Sequence, residues 1–244
     1  MADDEIIKKH TKAAYEALKN HDMDWKHKLK EILLEIIIIV FAVSISIWFH
    51  NWSEKLKDRN EEKEFLTSLK KDLQDDKIEM TNDRNGFMQV LRGIYYFEKV
   101  GRGLPLDKDS LNKNQWCFFG SAQINPRISR YEALKGSGKL DIVENAELLK
   151  NITELYQINF PIIILKNQRF NSLRENYVTP FVDDRLQLDS KKDEGTNWQE
   201  IIRSSKMRLL LSQEASNITA NIKAYAQGIE KINQIMAQIN KELE

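Results

Sequence analysis

The chain has 244 residues, of which 30% are charged, and its 37 Lys and Arg balance its 37 Asp and Glu. A neutral total lacks the basic excess that binds nucleic acid, so no nucleic-acid partner is expected. The single cysteine, Cys117, excludes an intrachain disulfide and lacks the companions of a metal site, which favours a structural or incidental thiol.

Residues 1–28 are predicted to form a cytoplasmic N-terminal amphipathic helix. No Gly or Pro occurs before Gly86, so the two strongest helix breakers are absent from this part of the chain. Ile7, Ala14 and Leu18 share one face of the predicted helix. That face is suited to lie on a membrane surface or to pack against a neighbouring copy.

Residues 29–50 are predicted to cross a membrane once. The apolar run Ile32–Phe49 follows Trp25 and ends near Trp48 and Trp52, as in the aromatic belts of membrane helices. A helix of this length spans about 30 Å, which matches the hydrocarbon core of a bilayer. A buried core helix or a cleaved signal peptide fits less well, because the run is long and no small-residue cleavage site follows it.

The orientation of the span is inferred from the charges that flank it. Lys and Arg are equally frequent on the two sides, so the positive-inside rule alone does not decide. The tight cluster Lys26-His27-Lys28, followed by Lys30, favours a cytoplasmic N-terminus. We therefore expect a single-pass inner-membrane protein with a periplasmic C-terminal domain.

Glu35 is the one charged residue in the apolar run. A charge at mid-membrane costs about 2.5–3.5 kcal/mol and indicates function by default. Ala42, Ser46 and His50 share its helical stripe, and packed membrane helices use such small and polar stripes. Glu35, Ser46 and His50 are therefore the candidate interface or functional residues. Three interpretations stay open for Glu35: a position near the headgroups, protonated or reaching Lys28; a self-association face; or proton handling.

Residues 51–244 are predicted to form a charged stalk and a helical bundle. The fold class is all-α, with the membrane helix continuing into a long-helix, four-helix-like bundle with coiled-coil seams. Apolar residues recur at steps of three and four from Leu66 to Phe97. Asp76 and Asp83 interrupt this stripe, and a loose or solvated seam is favoured there over a polar site inside the bundle.

The rest of the bundle is predicted from caps, breakers and one regular seam. Residues 106–143 are irregular and are expected to contain a short capping helix. Asn145 is placed to cap a helix that extends to Tyr177 with a kink at Pro161. The seam Leu211–Leu243 follows alternating steps of four and three, and it closes either within the chain or between copies.

No motif of an enzyme, a cofactor site or a metal site occurs in the sequence. P-loop, GxGxxG, paired CxxC and HExxH patterns are missing. The histidines lie before or beside the span, so a Ser/His/Asp set within the bundle is excluded. We therefore assign no catalytic, cofactor-binding or metal residues and expect a protein that is not an enzyme. A small-molecule ligand is left open.

Four motifs resemble an uncharacterised, Bacteroidota-type family of single-pass membrane proteins, known as a domain of unknown function. They are Lys30-Glu31-Ile32 at the start of the span, His50-Asn51-Trp52 at its end, the helix Glu64–Leu73, and the segment Tyr131–Leu149. The chain departs from the family in its longer N-terminal extension and in the Phe-Ala-Val-Ser run from Phe41. The resemblance implies an inner-membrane anchor and a helical extracytoplasmic domain, with no known activity.

The hypothesis that follows is a non-enzymatic scaffold or assembly protein. Its membrane helix and coiled-coil seams would self-associate and present the bundle to envelope partners. The expected partners are the lipid bilayer and either further copies of the chain or other membrane proteins. Two alternatives are a sensor or ligand-binding helical bundle, and a subunit of an ion-driven membrane complex that uses Glu35.

Overall fold

The computed structural model describes most of the chain as two compact units, one that ends at Asn60 and one that begins at Glu61. The backbone is described for residues 2–189, 194–195 and 197–244. Side chains are outside the description for residues 1–14, 16–28, 31 and 189–196.

The described elements are helices and one short β ladder, which confirms the all-α class. The strands β1 (Leu188–Asp189) and β2 (Glu194–Gly195) pair antiparallel, with Leu188 opposite Gly195. The α-helices, in chain order, are α1 (Ala2–Gly101), α2 (Lys108–Asn114), α3 (Ser129–Gly136), α4 (Ala146–Glu154), α5 (Phe160–Leu173), α6 (Thr179–Asp183), α7 (Trp198–Arg203) and α8 (Ser205–Leu243). Two 3₁₀ turns cover Gln115–Phe118 and Leu140–Ile142, and two π-turns cover Leu155–Asn159 and Arg174–Val178.

The first unit is helical, and the side chains of its apolar run are not buried against any described part of the chain. Helix α1 includes the whole of Ile32–Phe49, and every side chain in this range is exposed. Within the described chain this is the one segment long and apolar enough to cross a membrane. The backbone of residues 2–28 is also helical, but their predicted amphipathic face falls on side chains outside the description.

The second unit is a bundle whose core contains the predicted stripe of α1. Leu69, Leu73 and Ile94 are fully buried, and so is Phe97 at the end of the stripe. The steps of three and four keep these side chains on one face because the α-helix turns about 100° per residue. The core position of the stripe is therefore confirmed.

Three long helical stretches meet around this core. Phe87 of α1 packs edge-on against Phe170 of α5, with ring centroids 5.2 Å apart, and against Tyr225 of α8 at 5.7 Å. About two turns earlier in α1, Met80 and Ile163 of α5 both lie next to Gly228 of α8, where a Cβ would be 2.6 Å and 3.0 Å from their terminal carbons. These contacts make α5 parallel to this part of α1 and make α8 antiparallel to both.

The fourth side of the bundle is a largely irregular segment, residues 115–144. Its first part places Phe118 on Phe97, with ring centroids 4.7 Å apart. At its far end the Glu144 N–H donates to the Glu62 carboxylate at 3.0 Å. The segment therefore runs antiparallel to α1 along the bundle, whereas the sequence predicted a cap.

Near Pro161, where the sequence predicts a kink, the structure has a π-turn directly before helix α5. The Asn145 side chain caps α4, as predicted, by accepting from the N–H groups of Glu147 and Leu148. The ring of Pro161 cannot donate and crowds the preceding turn, so the helix widens until the Phe160 N–H bonds the Leu155 carbonyl. The second π-turn, Arg174–Val178, stands in the same place before Pro180.

The second π-turn also decides which side chains enter the core. Phe170, Arg174, Val178 and Val182 are all buried although they follow one another at steps of four. In a regular α-helix such steps drift by about 40° each, and the wider π-turn compensates for the drift. Val178 and Val182 therefore stay on the core-facing side together with Phe170 and Arg174.

The seam of α8 closes within the chain. Leu211, Tyr225, Ile232 and Ile239 are buried, as expected for a seam. The intervening seam positions are half-buried, because the centre of the buried face is rotated towards other residues. Those half-buried positions are Ile222, Ile229, Met236 and Leu243, and the rotated face adds Asn221, Gly228 and Ile235.

Candidate functional site

The predicted residues of the span lie on one stripe of an exposed helix. Glu35, Ser46 and His50 are all exposed. The described side chains show no hydrogen bond or ion pair between any two of these three residues. The Ser46 hydroxyl donates to the Ala42 carbonyl at 2.9 Å, so it is satisfied within its own helix. The proposed link from Glu35 to Lys28 falls on a side chain outside the description and stays a prediction.

Aromatic side chains gather where the apolar run ends. The rings of Trp48 and Trp52 are parallel, with centroids 6.3 Å apart, and Phe49 stands edge-on to both. All three side chains are exposed. Amphipathic rings of this kind favour the membrane–water interface. The predicted partner belt at Trp25 falls outside the described side chains.

The first acid in the α1 stripe, Asp76, is buried and paired, so the favoured prediction of a solvated seam is wrong there. Only 2% of its surface is exposed. The Arg127 guanidinium donates to it at 2.7 Å, and the Arg127 backbone N–H donates at 3.3 Å. Burial raises the pKa of Asp76, although these bonds from Arg127 oppose the rise. The pairing ties the irregular segment to α1.

The second acid, Asp83, belongs to a polar chain across the bundle, which bears out the alternative left open by the sequence. The Tyr225 hydroxyl donates to Asp83 at 3.2 Å, and the Asn167 amide donates to the same hydroxyl oxygen at 2.9 Å. Burial raises the pKa of Asp83, the bond from Tyr225 lowers it, and the nearby charge of Glu79 raises it.

Arg174 is the centre of a buried ionic cluster. Its Nε donates to the Glu214 carboxylate at 2.6 Å, and both side chains are at most 3% exposed. Its two terminal nitrogens donate to the carbonyls of Phe119 and Cys117. The guanidinium also lies over the Phe170 ring at 4.2 Å. Each of the three nitrogens of the Arg174 guanidinium thus donates to the protein, and the two bonds to carbonyls fix the start of the irregular segment.

The arrangement around Cys117 is structural rather than reactive. The thiol is buried, and burial raises its pKa, so the thiolate needed of a nucleophile is not formed at neutral pH. Gly93 makes room for it, since a Cβ at that position would lie 3.3 Å from the Cys117 Cβ and Sγ. In the described residues, no three His, Cys, Asp or Glu side chains are grouped as metal ligands.

A cleft of about 430 Å³ opens beside the Asp83 chain and the Arg174 cluster. Asp83 and Gly86 of α1 form one wall, and residues 116–123 form the other. The floor includes Phe87 and Phe170, which are almost fully buried. A volume of this size is within the range of small-molecule sites.

The irregular wall of the cleft is held in place by a side-chain amide from α5. The Asn171 Oδ1 accepts from the Ala122 N–H at 2.8 Å, and the Asn171 Nδ2 donates to the Ala122 carbonyl at 2.8 Å. Both polar groups of one residue in the wall are thus satisfied by a single side chain. Together with the bond from Arg174 to Phe119, this pairing gives the wall a defined position without regular secondary structure.

Sequence reasoning found one residue of the cleft and missed the others. Asp83 was singled out as an acid in an apolar stripe, whereas Arg174 and Tyr225 were not considered as polar groups of a site. Gly86 offered a signal, since it is the first glycine of the chain and interrupts a long stretch free of helix breakers.

Comparisons with known proteins add no relative. No family model matches the chain, and no curated protein or solved structure is significantly similar to it. The resemblance to a Bacteroidota-type family therefore stays a prediction that rests on the four motifs.

Proposed function

We propose that this chain is a membrane-anchored, non-enzymatic scaffold protein. Residues 29–50 cross the inner membrane of a Gram-negative envelope, the N-terminus is cytoplasmic, and the bundle is presented to partners in the periplasm. Copies associate through the stripe of the span that contains Glu35, Ser46 and His50. The Bacteroidota-type family remains the proposed affiliation.

The observation that carries the proposal is the exposed and largely apolar surface of residues 32–49. The exposed fraction of Phe41 is 66% and that of Ile37 is 63%, and no described part of the chain covers them. Water-exposed apolar patches of this extent are rare in soluble proteins. A bilayer covers such a surface at a favourable free energy, and the helical backbone bonds need no water.

Because the seams of the bundle are closed within the chain, the proposed self-association uses the span. The seam of α8 is covered by α1 and α5 in the same chain, so it offers no open coiled-coil face. In the span, the hydroxyl of Ser46 bonds the Ala42 carbonyl of its own helix, which leaves a small, satisfied surface on the stripe for close helix approach.

The orientation is tested by reporter fusions to the full chain. A reporter that is active only in the periplasm is expected to work when fused after Glu244, because the bundle is then outside the cytoplasm. The matched control is the same reporter fused ahead of Lys26, which should be inactive. Activity of only the N-terminal fusion would reverse the orientation.

The self-association face is tested at Glu35. Glu35→Gln should preserve the oligomer mass in detergent, because an amide still hydrogen-bonds across helices at about 1 kcal/mol or less per contact. Glu35→Leu should lower the mass modestly, and Glu54→Gln, an exposed acid beyond the run, is the matched control.

The same variants separate the scaffold from an ion-driven complex. A scaffold carrying Glu35→Gln should complement a deletion strain, because its assembly does not need a titrating group. Intact assembly without complementation would instead favour ion coupling through Glu35 and contradict the scaffold. An unchanged mass for both Glu35 variants would remove the stripe as the association face.

A further inference from the structure

Gly86 leaves space in the cleft that nothing in the described chain fills. It lies in the interior of α1 and lines the cleft, and a Cβ at this position would meet no atom within 4 Å. A glycine inside a helix is less stable than alanine, so a packing reason is expected for it. The contrast is Gly228, where a Cβ would lie 2.6 Å from the Met80 Cε.

Asp83 supplies the charge that the cleft leaves uncompensated. The charged residues of the lining are Asp83 and Arg174, and the guanidinium of Arg174 is already paired with Glu214. The Tyr225 hydroxyl, a neutral donor, forms a hydrogen bond to the Asp83 carboxylate. An anionic ligand would therefore meet the like charge of Asp83, while the Arg174 charge is already paired with Glu214. A cation would instead gain a charge-assisted hydrogen bond to the Asp83 carboxylate.

The remaining surface of the cleft suits an apolar or aromatic body. Phe87, Val90 and Phe170 are at most 7% exposed and form its floor. Trp116 and Phe119 belong to the opposite wall. Aromatic rings attract organic cations through their negative faces, so this lining and the Asp83 carboxylate favour the same class of ligand.

We propose that the cleft between Gly86 of α1 and residues 116–123 binds a small organic ammonium ion with an apolar or aromatic body. The ammonium group bonds the Asp83 carboxylate, and the body occupies the space above Gly86. The site is separate from the span, and it does not depend on the scaffold proposal or on the orientation in the membrane.

The test uses the full chain in nanodiscs and three probes of matched size. Binding of 2-phenylethylamine, 2-phenylethanol and phenylacetate is measured by saturation-transfer NMR and by calorimetry. We expect the amine to bind at least about tenfold more tightly than the alcohol, since a hydrogen bond to a charged group is stronger than a neutral one. Phenylacetate should bind most weakly.

Two variants assign the binding to this cleft. Asp83→Asn keeps an acceptor for Tyr225 and removes the charge, so it should erase the preference for the amine. Gly86→Phe should fill the cleft and abolish binding of the amine. Its control is Gly136→Phe, at another site where a Cβ meets no atom within 4 Å, which should bind normally.

The proposal fails under three results. Equal affinity for the amine and the carboxylate would show that Asp83 does not bind the ammonium group. Absence of amine binding at millimolar concentrations would show that the ligand is not an organic ammonium ion of this kind. Unchanged amine binding by Gly86→Phe would place the ligand elsewhere. Thermal melting of each variant establishes that it is folded, and Gly86→Phe serves as the decisive variant if Asp83→Asn does not fold.

Discussion

Two stretches of helix α1 are rich in apolar residues, yet one is fully exposed and the other forms a core. In residues 32–49 the apolar side chains cover all sides of the helix, and Ile38 is 56% exposed. In residues 66–97 they recur at steps of three and four, and Leu69 is 0% exposed. Whether a stretch of the helix is buried in the core therefore depends less on its number of apolar residues than on how these residues are distributed around the helix axis.

The comparison explains why the two stretches need different surroundings. A helix that is apolar all round cannot be satisfied by one protein face, so it needs an apolar solvent on every side. A striped helix buries one face against neighbours and keeps the other in water. Ile78 comes between the buried residues Leu73 and Met80 in the sequence but is exposed, so the buried stripe occupies only one narrow face of the helix.

The largest expected effect comes from placing the same substitution in three environments of α1. Ile94→Asp, at a fully buried position, should cost at least about 4 kcal/mol and abolish cooperative unfolding of the bundle. Ile38→Asp should leave the bundle's melting unchanged but weaken membrane integration by about 2.5–3.5 kcal/mol. Ile78→Asp, at an exposed position, should change neither property.

Calorimetry measures the unfolding of the bundle in these variants, and the resistance of the membrane-bound protein to alkaline extraction measures its membrane integration. The comparison of the two stretches breaks down if Ile38→Asp and Ile94→Asp behave alike in both measurements.

The next effect concerns the buried ionic cluster that fixes the cleft wall. Arg174→Met should lower the free energy of unfolding by about 3–5 kcal/mol, because it leaves Glu214 charged and buried without a partner. The same change at exposed Arg169, on the same helix, should stay within about 0.5 kcal/mol. Equal melting temperatures for both variants would mean that the Arg174–Glu214 pair is not formed.

Alanine substitutions at two glycines should change the stability of the bundle by smaller amounts and in opposite directions. Gly228→Ala should destabilise the bundle by about 1–3 kcal/mol, because its Cβ would approach Met80 to 2.6 Å and Ile163 to 3.0 Å. Gly86→Ala should stabilise it by about 0.5–1 kcal/mol, because no atom opposes the new Cβ. Chemical denaturation measures both, and a shared sign would contradict the packing described for one of them.

The smallest effect is a pH dependence at Asp83. Since burial raises its pKa in the folded state, the cost of its charge is present at neutral pH and is relieved as the pH falls through that pKa. Asp83→Asn should therefore melt above the unaltered protein at pH 7. The difference should shrink towards about pH 4, near the pKa of an unfolded aspartate. A difference that grows on acidification would indicate a lowered pKa.

The sequence predicted what depends on short-range periodicity and failed on what depends on distant partners. The stripe from Leu66 to Phe97 and the cap at Asn145 follow from local spacing, and both are present. The burial of Asp76 depends on Arg127, which comes from an irregular segment 51 positions later. Spacing along one helix carries no information about such a partner.

The cleft could not be predicted for a related reason. One of its walls has no periodic pattern, and its position depends on single side chains such as Asn171 and Arg174. A π-turn before Pro180 keeps Val178 and Val182 on the same buried side as Arg174, and sequence reasoning placed no such turn at that proline. The seam of α8 was identified, but whether it closes within the chain depends on the packing of the other helices.

The most direct test of the two environments is cysteine labelling at a matched pair of positions in α1. Ile38→Cys and Ile78→Cys introduce thiols at sites with similar exposure in the chain, 56% and 62%. The buried Cys117 provides a silent background. With a membrane-impermeant maleimide applied to both sides of opened membranes, Ile78→Cys should be labelled fully, and Ile38→Cys should stay unlabelled while the bilayer is intact. Equal labelling of both positions in the intact bilayer would contradict a lipid-covered helix at residues 32–49.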